Sequence, residues 1–269
     1  ILNKLAKQYT KIIIRYPLFD PVILLFLKDK KKYFLEHHSK EIEELKFKND
    51  PRYYLEKSLG SKWLKLFGGI IGVTPEILRY EANRSKFKKR TIFCPNSIYL
   101  QKQSLSGTVY AANSLNLIMV ANFRPWHGLS IILDAMLMTP EFSGKYRLHV
   151  VGKVIEEHDL LKMEQLNEHV TYYGELPKKE ILRLYENMDI GLGVFNAGVK
   201  DLEETTALKI REYLASGIPV IIGDVDPAFP KDFKFVKRVK NFSLGALFEY
   251  ADSVRGTLRE KVVQSSRPF

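Results

Sequence analysis

Glu204-Thr-Thr-Ala-Leu-Lys-Ile-Arg-Glu212, followed at once by Tyr213-Leu-Ala-Ser-Gly-Ile-Pro-Val-Ile-Ile222, is the most informative stretch of the chain. Residues 207–216 lack Gly, Pro and Asn and are predicted to be helical, and residues 220–222 form a short apolar run typical of a buried strand. Three signals mark the helix ends: Thr205 or Thr206 as N-cap, Gly217 just beyond the last turn, and Pro219, which cannot continue the helix. A helix that runs directly into a buried strand is typical of an α/β domain.

Two carboxylates flank the start of this helix, Glu204 in the preceding loop and Glu212 inside the helix. A helix N-terminus offers unpaired N–H groups and a partial positive charge, so a phosphate at residues 206–208 would meet those donors, with Lys209 close by. Glu212, about one turn deeper, can accept hydrogen bonds from sugar hydroxyls. Phosphate together with hydroxyls predicts a sugar nucleotide as the ligand. The alternative is a capped surface helix whose acids lie near its favourable end.

Strands and helices alternate through the surrounding sequence. Predicted strands cover residues 116–121, 146–151, 170–174 and 188–194, and predicted helices cover residues 129–138 and 178–187. This alternation predicts a doubly wound domain with a parallel sheet and crossover helices. Ligands of such domains bind beyond the carboxyl ends of the strands. The loops at that edge are residues 122–128, 152–154, 173–176, 195–206 and 224–227, so the acid pair lies where a ligand belongs.

The motifs along residues 116–230 resemble those of a known family. The Glu-x7-Glu pattern followed by Tyr-Leu-Ala-Ser-Gly-Ile-Pro-Val is similar to the donor-site signature of retaining GT-B-fold glycosyltransferases, a group typified by glycogen synthase and by bacterial mannosyl- and glucosyltransferases. Further matching segments are Leu148-His-Val-Val-Gly152, Val170-Thr-Tyr-Tyr-Gly-Glu-Leu176, Leu184-Tyr-Glu-Asn-Met-Asp-Ile190 and Cys94-Pro-Asn96 at the hinge strand. The Trp126-His-Gly128 variant resembles a subgroup found in bacterial capsule and exopolysaccharide clusters.

The resemblance implies roles for individual residues. Glu204 would contact the donor sugar ring near the anomeric carbon, and Glu212 would hold the ribose hydroxyls. His38, at the exit of a predicted strand, would lie in an acceptor-lobe loop near the donor sugar; the alternative is an ordinary surface or packed histidine. The implied donor-binding residues are Asn122, Arg124, His127, Gly128, Gly152, Tyr173, Thr206, Ala207, Leu208, Lys209 and Glu212.

Three of these positions depart from the family pattern. The family holds the diphosphate with an Arg after the first strand and a Lys before the Gly of the next turn, and this chain has Asn122 and His127 there. The usual Gly at the helix start is Ala207. Arg124 and Lys209, with Lys153, can supply the missing cations. The alternative is that donor binding is weakened or lost.

The resemblance implies transfer of a sugar from a UDP- or GDP-linked donor to a saccharide or lipid-linked acceptor, with retention, in surface polysaccharide or glycoconjugate synthesis. It implies no cofactor and no metal, because the donor site relies on a helix dipole and cations; Asp224-Val-Asp226 is interpreted as an acidic loop pair. The alternative from a different class is a non-catalytic GT-B-like subunit that binds sugar nucleotides and assists another glycosyltransferase at the membrane.

The expected architecture is α/β, with two Rossmann-like lobes of a GT-B fold. Residues 1–105 are predicted to form an incomplete N-terminal, acceptor-side lobe, and residues 106–269 the nucleotide-sugar-binding lobe. The first lobe is short for the fold, so either a partner chain completes it or the sequence lacks its beginning. Residues 97–114, rich in Gln, Ser and Asn, are predicted to be an exposed linker.

Charge is concentrated in the N-terminal part. Residues 1–100 contain 21 Lys or Arg and 10 Asp or Glu, a net charge of +11, whereas the remaining residues contain 21 of each. The basic groups are Lys28, Lys30, Lys31 and Lys32 after an apolar run, and Lys86, Lys88, Lys89 and Arg90. Such groups favour an anionic membrane surface; the alternative is a solvated basic face.

Other classes of partner and location are less well supported. No nucleic-acid-binding motif is present, so no nucleic-acid partner is expected. The single cysteine, Cys94, excludes an intrachain disulfide and fits a reducing compartment. We therefore expect a cytoplasmic protein, with peripheral association at the inner face of the plasma membrane.

Overall fold

The computed structural model describes residues 2–86, 90–99, 105–110 and 114–269, without the side chains of Ala6 and Leu24. Lys88 and Lys89 of the second basic group lie outside the described residues. The chain forms two compact units, one of Ile1–Asn96 with Gly198–Thr206, the other of Ser97–Ala197 with Ala207–Phe269. The first unit therefore takes nine residues from the middle of the second half of the chain.

The first unit contains a four-stranded parallel sheet with the order β1-β2-β3-β4. Its strands are β1 (Ile12–Arg15), β2 (Tyr33–His37), β3 (Gly69–Gly72) and β4 (Arg90–Phe93). Its helices in the described residues are α1 (Leu2–Gln8), α2 (Pro21–Phe26), α3 (Glu41–Phe47), α4 (Arg52–Leu64) and α5 (Pro75–Ser85).

Local signals explain where two of these helices begin. Thr74 caps α5 by accepting the N–H of Ile77 at 3.1 Å, with Pro75 at the first helical position, as the sequence predicts. Asp20 caps α2 in the same way. Helix α2 ends at Phe26, because Leu27 adopts an extended backbone.

The apolar core of the first unit lies on one face of its sheet. Trp63, Leu64 and Phe67 pack against Tyr33 and Leu35 of β2. The residues of β4 are all exposed, and Ile13 of β1 is 63% exposed.

The second unit contains a six-stranded parallel sheet with the order β10-β9-β8-β5-β6-β7. Its strands are β5 (Leu115–Val120), β6 (Tyr146–Val151), β7 (Val170–Tyr172), β8 (Ile190–Leu192), β9 (Val220–Ile222) and β10 (Val236–Arg238). Its helices in the described residues are α6 (Leu129–Met138), α7 (Glu157–Gln165), α8 (Lys178–Tyr185), α9 (Leu208–Ala215), α10 (Leu244–Val254) and α11 (Arg259–Ser266). The predicted α/β class and doubly wound parallel sheet are confirmed.

Strand β5 is the point at which the strand order reverses. It pairs with β6 on one side and with β8 on the other, and every pairing of the sheet is parallel. In doubly wound sheets the crevice at such a reversal, beyond the carboxyl ends of the strands, is where ligands bind. The loops after β5, β6, β7 and β8 lie at that edge.

The predicted exposed linker is wrong at Val109 and Tyr110. Val109 and Tyr110 are buried in the apolar core of the second unit, and the N–H of Tyr110 donates to Asp189 at 2.8 Å. Thr108 forms an antiparallel bridge with Leu258. The polar composition of the segment concealed two residues that contribute to the core.

Within the described ranges, no helix has both the length and the apolar character that a membrane span requires.

Candidate functional site

The start of α9 presents backbone N–H groups without a side-chain cap. Ala207 is the N-cap residue, and no side chain accepts a hydrogen bond from the first turn. The predicted Thr cap is therefore wrong; the hydroxyl of Thr206 instead donates to the Val73 carbonyl at 3.2 Å. The helix end agrees with the prediction, because Gly217 follows the last turn with a φ of +73°. The uncapped N–H groups keep the anion-binding capacity expected of a helix N-terminus.

Lys209, the second residue of α9, is buried without a hydrogen-bond partner in the described part of the chain. Its side chain is 9% exposed and its Nζ contacts no acceptor. Burial lowers the pKa of Lys209 to about 7. A buried ammonium without a counter-ion is costly. The structure therefore leaves one cation at the helix start that an anion would stabilise.

Glu212 lies one turn beyond Lys209 and is partly exposed. Its Oε1 is 3.5 Å from the Nζ of Lys178, the first residue of α8. One carboxylate oxygen near the surface can accept hydroxyl hydrogen bonds, as the prediction requires.

The acidic loop after β9 has a structural partner. Arg211 of α9 contacts both carboxylate oxygens of Asp226, and the guanidinium lies 4.9 Å from the Phe229 ring. Asp224 accepts the N–H of Ala197 at 3.2 Å. Among the described residues no group of three His, Cys, Asp or Glu side chains is arranged to hold a metal.

The loop after β5 forms one 3₁₀ turn, Pro125–His127, before α6 begins. Asn122 and Arg124 are exposed. The Nδ1 of His127 accepts the N–H of Arg124 at 3.0 Å, so in the neutral ring the proton is carried by Nε2. Gly128 has a φ of +77°, and a Cβ there would lie 2.7 Å from Cβ of Phe195. This position therefore requires glycine.

Backbone contacts join the loops after β6 and β7. The N–H of Gly152 donates to the Gly174 carbonyl at 2.7 Å, and a Cβ on Gly152 would lie 1.9 Å from the Ala121 carbonyl oxygen. The hydroxyl of Tyr173 is 2.9 Å from Nδ1 of His149. Burial, and then the charge of Arg147, lowers the pKa of His149 to about 4. The ring beside Tyr173 is therefore neutral at physiological pH.

Glu204 belongs to the first unit rather than to the unit that carries α9. Its carboxylate is 17% exposed; Oε2 accepts the N–H of Glu76 at 2.7 Å, and Oε1 is 3.4 Å from Arg79. The carboxylate therefore lies at the N-terminus of α5, where negative charge is favourable. Its partner is 128 positions away, so sequence reasoning missed it.

The two adjacent histidines have different surroundings, as strand alternation predicts. His37 is fully buried and stacks on Tyr16, and burial keeps its pKa well below the usual value. His38 is partly exposed, with Nε2 3.1 Å from a carboxylate oxygen of Glu36. Of the two histidines, His38 is the more exposed.

Part of the chain matches a known family. Residues 110–234 match the family model for glycosyl transferases group 1. That range encloses α9, Lys209 and Glu212, and it contains the stretch in which the sequence resemblance was found. Searched against curated proteins, the sequence gives no match.

Solved structures share the fold at low sequence identity. The GtfA/B complex aligns with 98% of this chain at 13% identity and a TM-score of 0.61, over 55% of its own chain. Trehalose-6-phosphate synthase OtsA aligns with 99% of this chain at 14% identity and a TM-score of 0.63, over 70% of its own chain. A pneumococcal O-GlcNAc transferase, GtfA, was crystallised with UDP and GlcNAc. It aligns with 93% of this chain at 12% identity and a TM-score of 0.59, over 56% of its own chain.

Two parallel sheets with helices in both units give the α/β fold of GT-B glycosyltransferases. The chain spans about half the length of the GtfA/B chain that it matches.

Proposed function

We propose that this chain is a glycosyltransferase that moves a sugar from a nucleoside-diphosphate-sugar to a saccharide or lipid-linked acceptor. The observation that supports it most strongly is Lys209, a buried and unpartnered cation in the first turn of an uncapped helix. Backbone donors and a cation together favour a diphosphate.

Departure of the diphosphate is the step that this arrangement would assist. As the bond between the sugar and the diphosphate breaks, negative charge develops on the phosphate oxygens. N–H groups and an ammonium already in place stabilise that charge without reorganisation. Arg124, exposed in the loop after β5, would add a second cation. We infer retention of configuration from the family resemblance.

The nucleoside would lie along the same edge of the second unit. Glu212 would accept hydrogen bonds from the ribose hydroxyls, and Tyr173 with the backbone of Gly174 would face the base. A UDP-linked donor has the support of the pneumococcal GtfA structure, which was determined with UDP and GlcNAc. A GDP-linked donor fits the same contacts, because they do not select a base.

The remaining roles belong to residues of the first unit. Glu204 would contact the donor sugar, and His38 would lie near the reacting groups. The acceptor would be a saccharide or a lipid-linked saccharide in surface polysaccharide synthesis. These roles extend the family resemblance to the positions that match it.

One observation favours a second candidate, a non-catalytic subunit that binds sugar nucleotides. The carboxylate of Glu204 already contacts Glu76 and Arg79. Asn122 and His127 also replace the usual diphosphate-binding Arg and Lys. Such a subunit would bind the nucleotide and assist a partner glycosyltransferase chain.

Titration calorimetry with UDP, GDP, UDP-glucose, UDP-GlcNAc and GDP-mannose tests the proposal, followed by transfer assays read by mass spectrometry. We expect micromolar to millimolar binding of at least one nucleotide, and a loss of about tenfold or more in Lys209→Met. Lys179→Met is the matched control, because Lys179 is exposed at the same position of α8. Binding without transfer to any acceptor supports the subunit; no binding by the folded wild type contradicts both candidates.

We also propose peripheral attachment to an anionic membrane through the first unit. Phe26 of α2 is 69% exposed, Val22 and Leu25 are exposed beside it, and the exposed lysines Lys28 and Lys31 follow. Apolar side chains next to lysines suit a lipid surface. Binding to phosphatidylglycerol vesicles, weakened in Phe26→Ser and by salt, would support it. Equal binding to neutral phosphatidylcholine vesicles would contradict the electrostatic part.

A further inference from the structure

The loop that carries Glu204 meets a second glutamate, Glu76, in the first turn of α5. The Oε2 of Glu76 accepts the N–H groups of Glu203 at 2.9 Å and of Glu204 at 2.8 Å. In return, Oε2 of Glu204 accepts the N–H of Glu76 at 2.7 Å. Each glutamate thus binds the backbone of the other with its carboxylate. We call this pair, together with Lys40, the glutamate clasp.

Lys40 supports the clasp from the other side of Glu76. Its Nζ is 2.9 Å from Oε1 of Glu76 and 2.9 Å from a carboxylate oxygen of Asp201, whose carbonyl also accepts a hydrogen bond from it. Burial alone would lower the pKa of Lys40, but hydrogen bonds to Glu76 and Asp201 raise it. Lys40 is therefore charged at neutral pH and fixes one oxygen of Glu76, which leaves the other for the backbone of the loop.

The clasp orients the carboxylate of Glu204. One of its oxygens is fixed by the N–H of Glu76, and a hydrogen bond to an ionised acceptor is short and about twice as strong as a neutral one. The other oxygen lies 3.4 Å from the largely exposed guanidinium of Arg79. Fixing Oε2 sets the direction in which Oε1 accepts.

We propose that Glu76, supported by Lys40, is a positioning residue for Glu204, which it holds so that Oε1 can accept a hydrogen bond from a hydroxyl of the donor sugar. This inference rests on the proposed function, in which Glu204 contacts that sugar. Glu76 would act on transfer and leave nucleotide affinity unchanged, because the diphosphate and ribose contacts belong to α9.

The test measures transfer and nucleotide affinity in the same set of full-chain variants. The variants are Glu76→Ala, Glu76→Gln, Glu204→Ala and the double variant Glu76→Ala/Glu204→Ala. UDP and GDP serve as probes of affinity, and UDP-glucose, UDP-GlcNAc and GDP-mannose as donors. Glu157→Ala is the matched control, because Glu157 is an exposed glutamate in the first turn of α7.

We expect kcat to fall about tenfold or more in Glu76→Ala, with UDP or GDP affinity within about twofold of the wild type. Glu76→Gln should recover part of the rate, because its amide oxygen can accept the same two N–H groups. The double variant should be no slower than Glu204→Ala, since Glu76 acts through Glu204.

Different outcomes separate the inference from the proposed function. Wild-type transfer in Glu76→Ala, or losses that multiply in the double variant, would overturn the positioning role while the glycosyltransferase proposal stands. Loss of nucleotide affinity equal to the loss of transfer would identify Glu76 as a folding residue only. A wild type that binds no nucleotide would overturn the proposed function, and the positioning role with it.

Discussion

Both units bury ionisable side chains, but in the first unit two glutamates and a histidine are buried in one group beside an arginine. Strands β8 and β9 are wholly buried, among aliphatic side chains. In the first unit Glu56, Glu81 and His37 are buried together near Arg84. Arg84 contacts both glutamates, and Glu56 also accepts the hydroxyl of Tyr16 at 2.7 Å.

The two units differ in how their buried charges are compensated. In the second unit Arg211 and Asp226 form an ion pair, and the Nζ of Lys209 has no hydrogen-bond partner among the described residues. In the first unit Glu56 and Glu81 share Arg84, and proton binding compensates for the excess of carboxyls. Burial and the charge of Glu81 raise the pKa of Glu41 to about 8, and burial, opposed by Arg84, raises that of Glu81 to about 7. We infer that neighbouring carboxyls of the first unit compensate for their shared burial by binding protons, whereas the buried Arg211 of the second unit is neutralised by a counter-ion.

The largest expected effect is on the closed pair of the second unit. Asp226→Ala leaves Arg211 buried without its counter-ion, so the free energy of unfolding should fall by about 3–5 kcal/mol. Urea denaturation followed by circular dichroism measures it. Asp252→Ala, which breaks an exposed pair with Arg255, should cost less than about 1 kcal/mol. Equal costs would show that the second unit does not depend on paired charge.

The close packing of the backbone in the second unit can be tested at a glycine. Gly152 has a φ of +114°, and an added Cβ would overlap the Ala121 carbonyl oxygen. Gly152→Ala should therefore lower the free energy of unfolding by about 2 kcal/mol or more. Gly245→Ala in α10 is the control, since its Cβ meets nothing within 4 Å. That control should be neutral, or stabilising by about 0.5–1 kcal/mol. An unchanged free energy of unfolding in Gly152→Ala would mean that the backbone at Gly152 and Ala121 can shift to make room for the Cβ.

The raised pKa values of Glu41 and Glu81 predict that the free energy of unfolding of the first unit depends on pH. A carboxyl whose pKa is raised by folding stabilises the folded state at low pH, and that contribution is lost as pH rises through its folded pKa, here about 7 to 8. His37 contributes to stability with the opposite dependence on pH, because folding lowers its pKa. Its contribution is present above pH 6.5, its usual pKa, and is lost as pH falls below that value. These two carboxyls should therefore make the first unit lose stability as pH rises from about 4.5 to about 8, with no further loss from them at higher pH.

Glu41→Gln should remove a large part of this loss, a gain of about 1–3 kcal/mol over the wild type at pH 9, since the amide cannot ionise. Trp63, buried in the first unit, reports its unfolding by fluorescence once the other tryptophan is removed by Trp126→Phe. Asp29→Asn is the control in the same background, because Asp29 is exposed. An unchanged pH profile in Glu41→Gln would contradict proton sharing.

The smallest expected effect is the uptake of a proton by Lys209 when nucleotide binds. With a pKa of about 7 the free amine is largely neutral at pH 8, and a bound diphosphate would raise that pKa. Nucleotide binding at pH 8 should therefore take up close to one proton. Titration calorimetry in two buffers of different ionisation enthalpy measures the uptake, and Lys209→Met should abolish it. Zero uptake by the wild type would show that the phosphate does not reach this amine.

Local signals were sufficient for much of the second unit. Helix α6 and strands β6 and β9 begin and end at the predicted residues, because apolar periods, Gly and Pro lie close by in sequence. Strand β10 was missed, since Val236–Arg238 is short and has little apolar pattern. In the first unit, α1 was not predicted either.

The candidate site was predicted less completely than the fold. Sequence chemistry identified the helix start, Lys209 and Glu212, because these residues are neighbours along α9. It could not find the burial of Lys209 or the contact of Glu76 with Glu204, since both depend on residues far away in sequence. The Thr206 cap failed for the same reason, because the hydroxyl has a partner at Val73.

The nine residues Gly198–Thr206 have a practical consequence for anyone dividing this protein into its parts. A gene fragment that encodes residues 97–269 would carry a loop rich in acids without the surface that receives them. Glu203 and Glu204 would lose the carboxylate of Glu76, and Lys200 would lose Glu44. A fragment for crystallisation or display should therefore replace residues 198–206 with a short neutral linker, and a fragment of residues 1–96 would benefit from this nonapeptide added in trans.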